Sequence, residues 1–570
     1  MPEITPSPLT TCGYACKYTP SALFAGCGVN AVREVCETSD ASPADAVLHP
    51  NLCGYAKALA CSGLGGAFDG LVLTNCCDSL RRCADALRRS GSVPFMHLID
   101  LPRCADECAV DLYAAQLRKL TLALEERTGR PFDLAAAVAA VPDRPAPAPG
   151  PYLAVVGARL EPSLRAAIES RSPVPVRDLT CMGAGGVGPV PDEARQSTDA
   201  FIGWYARALL SQESCMRMTA GADRRRLALD PDLAGVIYHG LKFCDFYSYD
   251  YQTLASQVTV PITRLETDWT SQDSGQTLTR IEALIEGLGL TARPAPASDA
   301  EEAPMDNGRK RYFAGIDSGS TSTDVAIIDR DATLVAHVVR STGARAIDSA
   351  EAALSDALSQ AGISKDELAY TVSTGYGRTG IGIGDAQVTE ITCHARGAHH
   401  LDPQARTIID IGGQDSKAIR MDEEGAVVSF AMNDKCAAGT GRFLEAMARI
   451  LELSVDELAQ MGTDWDEDIT LSTMCTVFAE SEVVSLIAQN KKTADIVHGL
   501  DASVASKTAG LVQRVHGEPE YLMTGGVAQN AGVVAALATK LGSPVRVPPD
   551  PQVCGALGAA LIARDRVVGQ

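Results

Sequence analysis

Cys436 and Cys475 are the residues whose type and surroundings most narrow the chemistry open to this chain. The first sits in Asn433-Asp-Lys-Cys-Ala-Ala-Gly-Thr-Gly-Arg-Phe443, the second in Ser472-Thr-Met-Cys-Thr-Val-Phe-Ala-Glu480. Each begins what reads as a helix, Phe443-Leu-Glu-Ala-Met-Ala-Arg-Ile-Leu and Ala479-Glu-Ser-Glu-Val-Val-Ser-Leu-Ile. Free backbone N–H groups at a helix N-terminus suit thiolates and anionic clusters. Two thiolates cannot fill the four ligand positions of a [4Fe–4S] cluster, but two copies of the chain can. The expectation is an electron-transfer site with its cluster on a dimer axis.

The chain holds 18 cysteines, eleven of them in its first 108 residues. In a reducing compartment such density points to metal or redox chemistry before disulfides. No CxxC pair and no ferredoxin-type CxxCxxC run is present, so any ligands must converge from loops far apart in sequence. Cys12, Cys27, Cys36, Cys61, Cys83, Cys104, Cys108, Cys393 and Cys554 are expected to be buried small apolar residues instead.

The scaffold that gathers these residues is expected to be α/β. A length of 570 residues, 46% apolar, predicts about three or four domains. Pro142-Asp-Arg-Pro-Ala-Pro-Ala-Pro-Gly-Pro151 and the Pro/Ala-rich stretch 291–310 punctuate the chain. They divide it into a first lobe (1–145), a second lobe (150–290), a linker (291–310) and a C-terminal half (311–570). The first two lobes look related. Phe68-Asp-Gly-Leu-Val-Leu-Thr-Asn-Cys-Cys-Asp78 and Leu233-Ala-Gly-Val-Ile-Tyr-His-Gly-Leu-Lys-Phe-Cys-Asp245 each read as a buried parallel strand delivering a cysteine at its C-terminal end, then a helix. That edge is where doubly wound sheets place their active groups. A net charge of −21, from 50 basic and 71 acidic residues, argues against nucleic acid or an anionic membrane as partner. The N-terminus has no signal-peptide pattern and no apolar run approaches the ~20 residues of a membrane span, so a cytoplasmic location is expected.

In the C-terminal half, Tyr312-Phe-Ala-Gly-Ile-Asp-Ser-Gly-Ser-Thr-Ser-Thr-Asp-Val-Ala-Ile-Ile328 reads as strand, Gly/Ser/Thr turn, strand. Such a hairpin lets backbone N–H groups approach phosphate oxygens, with Asp317 placed for Mg²⁺ or its waters. Ile408-Ile-Asp-Ile-Gly-Gly-Gln-Asp-Ser-Lys417 offers the same chemistry around Asp410. Tyr521-Leu-Met-Thr-Gly-Gly-Val-Ala-Gln-Asn530 supplies a platform for adenosine, and Val553-Cys-Gly-Ala-Leu-Gly-Ala-Ala-Leu561 a small-residue helix for close packing. No G-x4-GK[ST] is present, which excludes a P-loop enzyme. In this order the motifs resemble those of the acetate kinase/sugar kinase/Hsp70/actin superfamily.

Gly315-Ile-Asp-Ser-Gly-Ser-Thr-Ser-Thr-Asp324, Thr374-Gly-Tyr-Gly-Arg378, Asp410-Ile-Gly-Gly-Gln-Asp-Ser-Lys417 and the two cysteine segments narrow this further. Over roughly residues 312–566 they resemble the activator ATPases of 2-hydroxyacyl-CoA dehydratases and the related benzoyl-CoA reductase ATPases. The resemblance implies a two-lobed actin/Hsp70-like ATPase that works as a homodimer and shares one [4Fe–4S] cluster through Cys436 and Cys475 of each subunit. It also implies Asp317 and Asp410 as catalytic carboxylates. ATP contacts then fall to Gly315, Ser318, Gly319, Ser320, Thr321, Gly412, Gly413, Gln414, Lys417, Gly525, Gly526 and Asn530, with Mg²⁺ as the accompanying ion.

Residues 11–290 resemble the small dehydratase/double-cubane cluster family. The matching segments are Cys16-Lys-Tyr-Thr-Pro20, His49-Pro-Asn-Leu-Cys-Gly-Tyr-Ala-Lys57, Asn75-Cys-Cys-Asp78, Asp178-Leu-Thr-Cys-Met-Gly183, Cys215-Met-Arg-Met218, Lys242-Phe-Cys-Asp-Phe-Tyr247 and Gly275-Gln-Thr-Leu-Thr-Arg-Ile-Glu282. Two Rossmann-like cluster-binding lobes are implied. Cys16, Cys53 and Cys77 from the first and Cys181, Cys215 and Cys244 from the second are the candidate ligands. Three and three suit a double-cubane [8Fe–9S]-type cluster; a single [4Fe–4S] cluster is the alternative. Cys76 rivals Cys77, which is preferred because Cys-Asp recurs at Cys244-Asp245. Asp78, Asp245, Lys57, Lys242 and Arg217 are candidates to bond sulfurs, and His49 and His239 to donate protons; capping, surface charge or a satisfied structural histidine are the plain alternatives.

A linker of roughly 20 residues between ATPase and acceptor gives an effective concentration in the millimolar range, provided that it spans the two sites. The expected function is ATP-dependent, low-potential electron transfer into the cysteine-rich module for reduction of a small molecule, fed by reduced ferredoxin or flavodoxin. The alternatives are a 2-hydroxyacyl-CoA dehydratase-type component and a non-catalytic electron carrier or cluster-maturation factor.

Overall fold

The protein is described by a computed structural model covering residues 9–34, 36, 38, 40–144, 146, 149–183, 186–212, 215, 218, 226–269, 274–288, 311–433, 437–471 and 476–568. Contacts divide the chain into two compact units, Met1–Leu290 and Thr291–Gln570. Cys436, Cys475, Arg217 and the stretch 291–310 lie outside the described residues.

The first unit carries two parallel sheets of the same plan. In one, β1 (Thr11–Tyr14), β2 (Asn30–Arg33), β3 (Gly70–Thr74) and β4 (Phe95–Ile99) lie in the order β2-β1-β3-β4. In the other, β5 (Tyr152–Gly157), β6 (Val176–Thr180), β7 (Leu233–Leu241) and β8 (Ile262–Thr267) lie in the order β6-β5-β7-β8. Every residue of β3 (Gly-Leu-Val-Leu-Thr) and of β5 (Tyr-Leu-Ala-Val-Val-Gly) is buried. Continuous apolar runs of this kind belong to inner parallel strands covered on both faces. In each sheet the chain runs outward from the second position, then crosses back to the third. The switch point therefore lies between β1 and β3 and between β5 and β7, with all the strand C-termini on one edge. One buried cluster includes Leu71 and Leu73 of the first sheet with Val236 and Tyr238 of the second.

The second unit repeats a different plan. β9 (Tyr312–Ser318), β10 (Ser322–Ile328) and β11 (Leu334–Ser341) form an antiparallel meander, and β12 (Leu368–Thr374) and β13 (Ala386–Gln387) add in parallel, in the order β11-β10-β9-β12-β13. β14 (Thr407–Ile411), β15 (Ser416–Met421), β16 (Val427–Asn433), β17 (Tyr521–Thr524) and β18 (Val545–Arg546) repeat it as β16-β15-β14-β17-β18. This is the duplicated α/β arrangement of an actin/Hsp70-like ATPase. Among the described residues no helix is long and apolar enough to cross a membrane.

The small-residue helix expected near Val553 is Cys554–Val568, and its glycines explain how closely it lies on helix Glu390–Leu401. A Cβ on Gly558 would sit 1.8 Å from the carbonyl oxygen of Cys393, and one on Gly397 2.1 Å from that of Cys554. Both obstacles are backbone, which cannot rotate away. Gly558→Ala is therefore expected to destabilise the chain by more than about 2 kcal/mol, read as a shift in the urea-unfolding midpoint. A loss under about 0.5 kcal/mol, the ordinary scatter of surface substitutions, would show that the two helices part freely.

Candidate functional site

In the first unit the cysteines converge. Cys16 follows β1, Cys181 follows β6, and Cys215 lies beyond helix Thr198–Leu210. Cys53, Cys77 and Cys244 take the N-cap positions of helices Gly54–Leu64, Asp78–Ser90 and Asp245–Ala255. No side-chain cap hydrogen bond is made at any of these three positions. One partly open cavity is lined by all six and by Cys76 as well. Among the described residues no three His, Cys, Asp or Glu side chains gather at the spacing of a single metal ion; the thiols border a space instead.

Local backbone delivers them. Phe243 has φ +61°, a region bulky residues avoid, and this turn sets Cys244 at the start of its helix. Gly54 follows Cys53 because a Cβ there would meet the Asp268 carbonyl at 2.7 Å and Trp269 Cβ at 2.8 Å. At three of these thiols the charged form is disfavoured. Its Cys76 neighbour and then burial hold Cys16 well above the usual thiol range, and burial raises Cys53. Burial also pushes Cys181 up to about 11, against the pull of Arg159. Ligation to iron requires thiolates, so these groups charge only when a metal takes the proton's place. Seven thiols around one cavity, with a buried guanidinium in its wall, are a donor set that fits a polynuclear, anionic iron–sulfur group.

The supporting candidates are placed otherwise. Lys57 pairs with Asp45 at 2.8 Å and Lys242 with Asp268 at 2.9 Å, while Asp78 is exposed beside Arg82. His49 accepts a hydrogen bond from the Asn51 backbone at 3.1 Å on the surface. His239 is buried between the Ala158 carbonyl and the Thr267 hydroxyl, and burial lowers its pKa to about 4. At neutral pH it carries no proton to donate as an imidazolium; it is a satisfied structural histidine. The Asp245 side chain lies outside the described residues. Of the nine cysteines expected to be buried, Cys61 and Cys104 are half-buried and Cys108 is exposed. Cys108 sits on an outer turn of helix Glu107–Thr128, whose inward face is Ala109, Val110 and Tyr113.

In the second unit the two glycine turns face each other: a Cβ on Gly413 would lie 2.1 Å from Thr321 Oγ1. Asp317 is the last residue but one of β9, and Asp410 lies on β14 directly opposite Lys417 on β15. Gly319 and Ser320 form the first turn, with Ser320 exposed; Gly412 and exposed Gln414 flank Gly413 in the second. Gly315 permits the close approach of helix Cys554–Val568, since a Cβ would fall 1.9 Å from the Ala556 carbonyl. Gly525 (φ +83°) turns the chain out of β17 into Gly526. Asn530 is engaged on both sides, accepting from Val533 N at 3.0 Å and donating to Asp501 at 3.1 Å. The Ser318 and Thr321 hydroxyls are buried without a partner in the chain, as groups awaiting phosphate oxygens would be.

His394 and Glu390 were not legible as site residues, yet both reach this cleft from helix Glu390–Leu401. His394 lies 3.7 Å from Asp317 through Nε2 and 3.7 Å from Asp410 through Nδ1. Lys417 Nζ is 2.7 Å from Asp415, 3.3 Å from Asp410 and 3.9 Å from Glu390. Burial raises Asp410, but His394, Lys417 and the Thr524 hydroxyl outweigh it and hold the carboxyl below its usual range. Asp317 has less help, and burial raises it to about 7. The signal in the sequence was an acid and a histidine four residues apart among small apolar neighbours.

Comparison with known proteins follows the same division. Residues 314–563 match the BadF/BadG/BcrA/BcrD ATPase family, and residues 16–145 and 134–288 match the 2-hydroxyglutaryl-CoA dehydratase D-component family. The activator of lactoyl-CoA dehydratase of Anaerotignum propionicum is 49% identical over 252 residues, covering 44% of this chain and 97% of that protein. The (R)-2-hydroxyglutaryl-CoA dehydratase activating ATPase of Acidaminococcus fermentans is 46% identical over 253 residues, covering 44% and 96%. The crystal structure of component A of that organism's dehydratase aligns over 46% of this chain and 100% of its own, at 43% identity and a TM-score of 0.44.

Proposed function

We propose, given that this chain belongs to the BadF/BadG/BcrA/BcrD ATPase family and carries a dehydratase D-component-type region ahead of it, that it couples ATP hydrolysis to low-potential electron delivery into the thiol cavity, for reduction of a small molecule. The observation that carries this reading is the convergence of Cys16, Cys53, Cys77, Cys181, Cys215 and Cys244 on one cavity, in the same chain as an activator-type ATPase. When bound there, an iron–sulfur group supplies storage for electrons at low potential. The chain's part is to present thiols from helix N-termini and sheet edges, to keep water out with Tyr55, Leu241 and Phe246, and to place a fixed cation beside them. In the second unit, Asp317 and Asp410 are the carboxylates for Mg²⁺, and the paired glycine turns with Lys417 the cradle for phosphates. Cys436 and Cys475 hold the dimer-bridging [4Fe–4S] cluster, and a reduced ferredoxin or flavodoxin is the donor. ATP shifts the equilibrium between docked and released states only by its differential affinity for the two, so it gates the transfer.

The D-component match favours a second reading, a 2-hydroxyacyl-CoA dehydratase-type component with one cluster in the first unit. Iron and acid-labile sulfide per chain separate the two on anaerobically purified full-length protein. About ten irons (eight plus half of a shared four) are expected, falling to about eight when Cys436 and Cys475 are both replaced by alanine. About six in the unaltered chain would replace the double cubane by the dehydratase reading. About two would leave the cavity cysteines without a metal and sink the proposal.

A further inference from the structure

We propose that Arg159 is the positioning residue of the thiol cavity, a fixed positive charge that holds and tunes the anionic group bound by the cysteines. This rests on the reading of the cavity as an iron–sulfur site.

The two sheets of the first unit share one strand order, so their positions correspond. Cys16 lies two residues beyond the end of β1, and Arg159 two residues beyond the end of β5. At the same point of the repeat, one sheet offers a thiol and the other a cation. The Arg159 side chain is not on the surface: only 7% of the residue is exposed, and it lines the cavity with the cysteines.

Its surroundings do not neutralise it. The guanidinium donates to two backbone carbonyls, Ala15 O and Glu34 O, and lies over the Tyr55 ring with its carbon 3.2 Å from the centroid. The Trp269 ring is 5.9 Å away and packs edge-on against Tyr55. Among the described residues no carboxylate forms an ion pair with it, and the side chain of Glu34 is perturbed by burial alone. Carbonyls and an aromatic face orient a buried guanidinium without cancelling its charge, and a buried charge left in that state is costly. The balance must come from the cavity. For Cys181, Arg159 is the foremost influence opposing burial; at Cys53 it adds to the Ala56 backbone and the Ser79 hydroxyl. A second guanidinium, Arg33, is near enough to be repelled by Arg159 while donating to the Met182 carbonyl. A buried guanidinium in the wall of a ring of thiols describes a site for an anion.

The simpler role is mechanical, since Arg159 reaches from the second sheet to Ala15, Glu34 and Tyr55 and so fastens the unit together. Arg159→Lys and Arg159→Met separate the two, measured in the full chain by iron and sulfide content and by a redox titration followed by electron paramagnetic resonance. Both variants lose the guanidinium's shape; only the second loses its charge. The Lys variant is expected to keep its iron and its midpoint potential. In the Met variant, either the first unit's iron is lost, or the ratio of reduced to oxidised sites at fixed potential falls at least tenfold, which is 59 mV for one electron. Equal losses or equal shifts in both variants would overturn the proposal in favour of packing, as would a Met variant that titrates like the unaltered protein. A chain with unaltered Arg159 that holds only about two irons defeats the iron–sulfur reading itself, an outcome visible before either variant is made.

Discussion

Asp410→Asn lowers ATP turnover by about two to three orders of magnitude, the scale on which one preorganised charge contributes to a buried catalytic site. The amide keeps the shape of the carboxyl and can still accept from the Thr524 hydroxyl at 3.0 Å. What it removes is the negative charge that Lys417 and His394 face at 3.3 and 3.7 Å. The fold is expected to survive, because Lys417 retains Asp415 at 2.7 Å. Steady-state ATP hydrolysis beside a thermal melt tests both halves; more than about a tenth of the original rate in a folded variant would remove Asp410 from the machinery. Asp317 shows itself through pH. Its carboxyl, raised to about 7, holds a proton below that value in the empty cleft, and Mg²⁺–ATP must displace it. The apparent KM for Mg²⁺–ATP therefore rises about tenfold per unit as pH falls below 7 and levels off above it. Asp317→Asn binds weakly at every pH and loses the slope.

Cys77→Ser and Cys244→Ser each strip the first unit of at least about half its iron while leaving its melting temperature nearly unchanged. Both residues are helix N-caps, where serine is among the preferred residues. The substitution thus improves the local fold while removing the softer, more readily ionised sulfur. Few positions allow a ligand to be tested with so little confusion from stability. Cys76→Ser is the contrast: it sits against Cys16 in the same cavity but caps nothing, and it is expected to retain the iron. Iron analysis of the three proteins decides between Cys76 and Cys77. An unchanged content in Cys77→Ser, with loss in Cys76→Ser, would exchange their roles.

The cysteine ring was legible because strand, Cys-Asp and helix leave a periodicity that survives in sequence: β3 ending before Cys77-Asp78, and β7 before Cys244-Asp245. The two glycine turns of the second unit were legible for a similar reason, each being a local strand–glycine–strand unit. What escaped were single residues whose meaning comes from packing between elements. Arg159 looks like any basic residue after an apolar strand until Tyr55, from a helix about a hundred positions earlier, is placed beneath it. His394 is one histidine on a helix until β9 and β14 bring Asp317 and Asp410 to either side. Cys108 failed in the opposite sense, since composition marks cysteine as an interior residue whereas the turn it occupies faces out. Proton donation by His239 was offered by type alone; the Ala158 carbonyl and Thr267 hydroxyl that satisfy it come from other strand ends.

The matched strand order of the first unit has a consequence for direction. A vessel built from two identical halves has no front or back, and anything inside it meets the same surroundings whichever way it is turned. Here the correspondence breaks where Cys16 holds, in the first sheet, the position that Arg159 holds in the second. The interior therefore slopes electrically toward Cys53, Cys76 and Cys181, the thiols nearest that guanidinium in influence. Negative charge entering the chamber is drawn toward that side, where the second sheet carries a guanidinium at the position the first gives to a thiol.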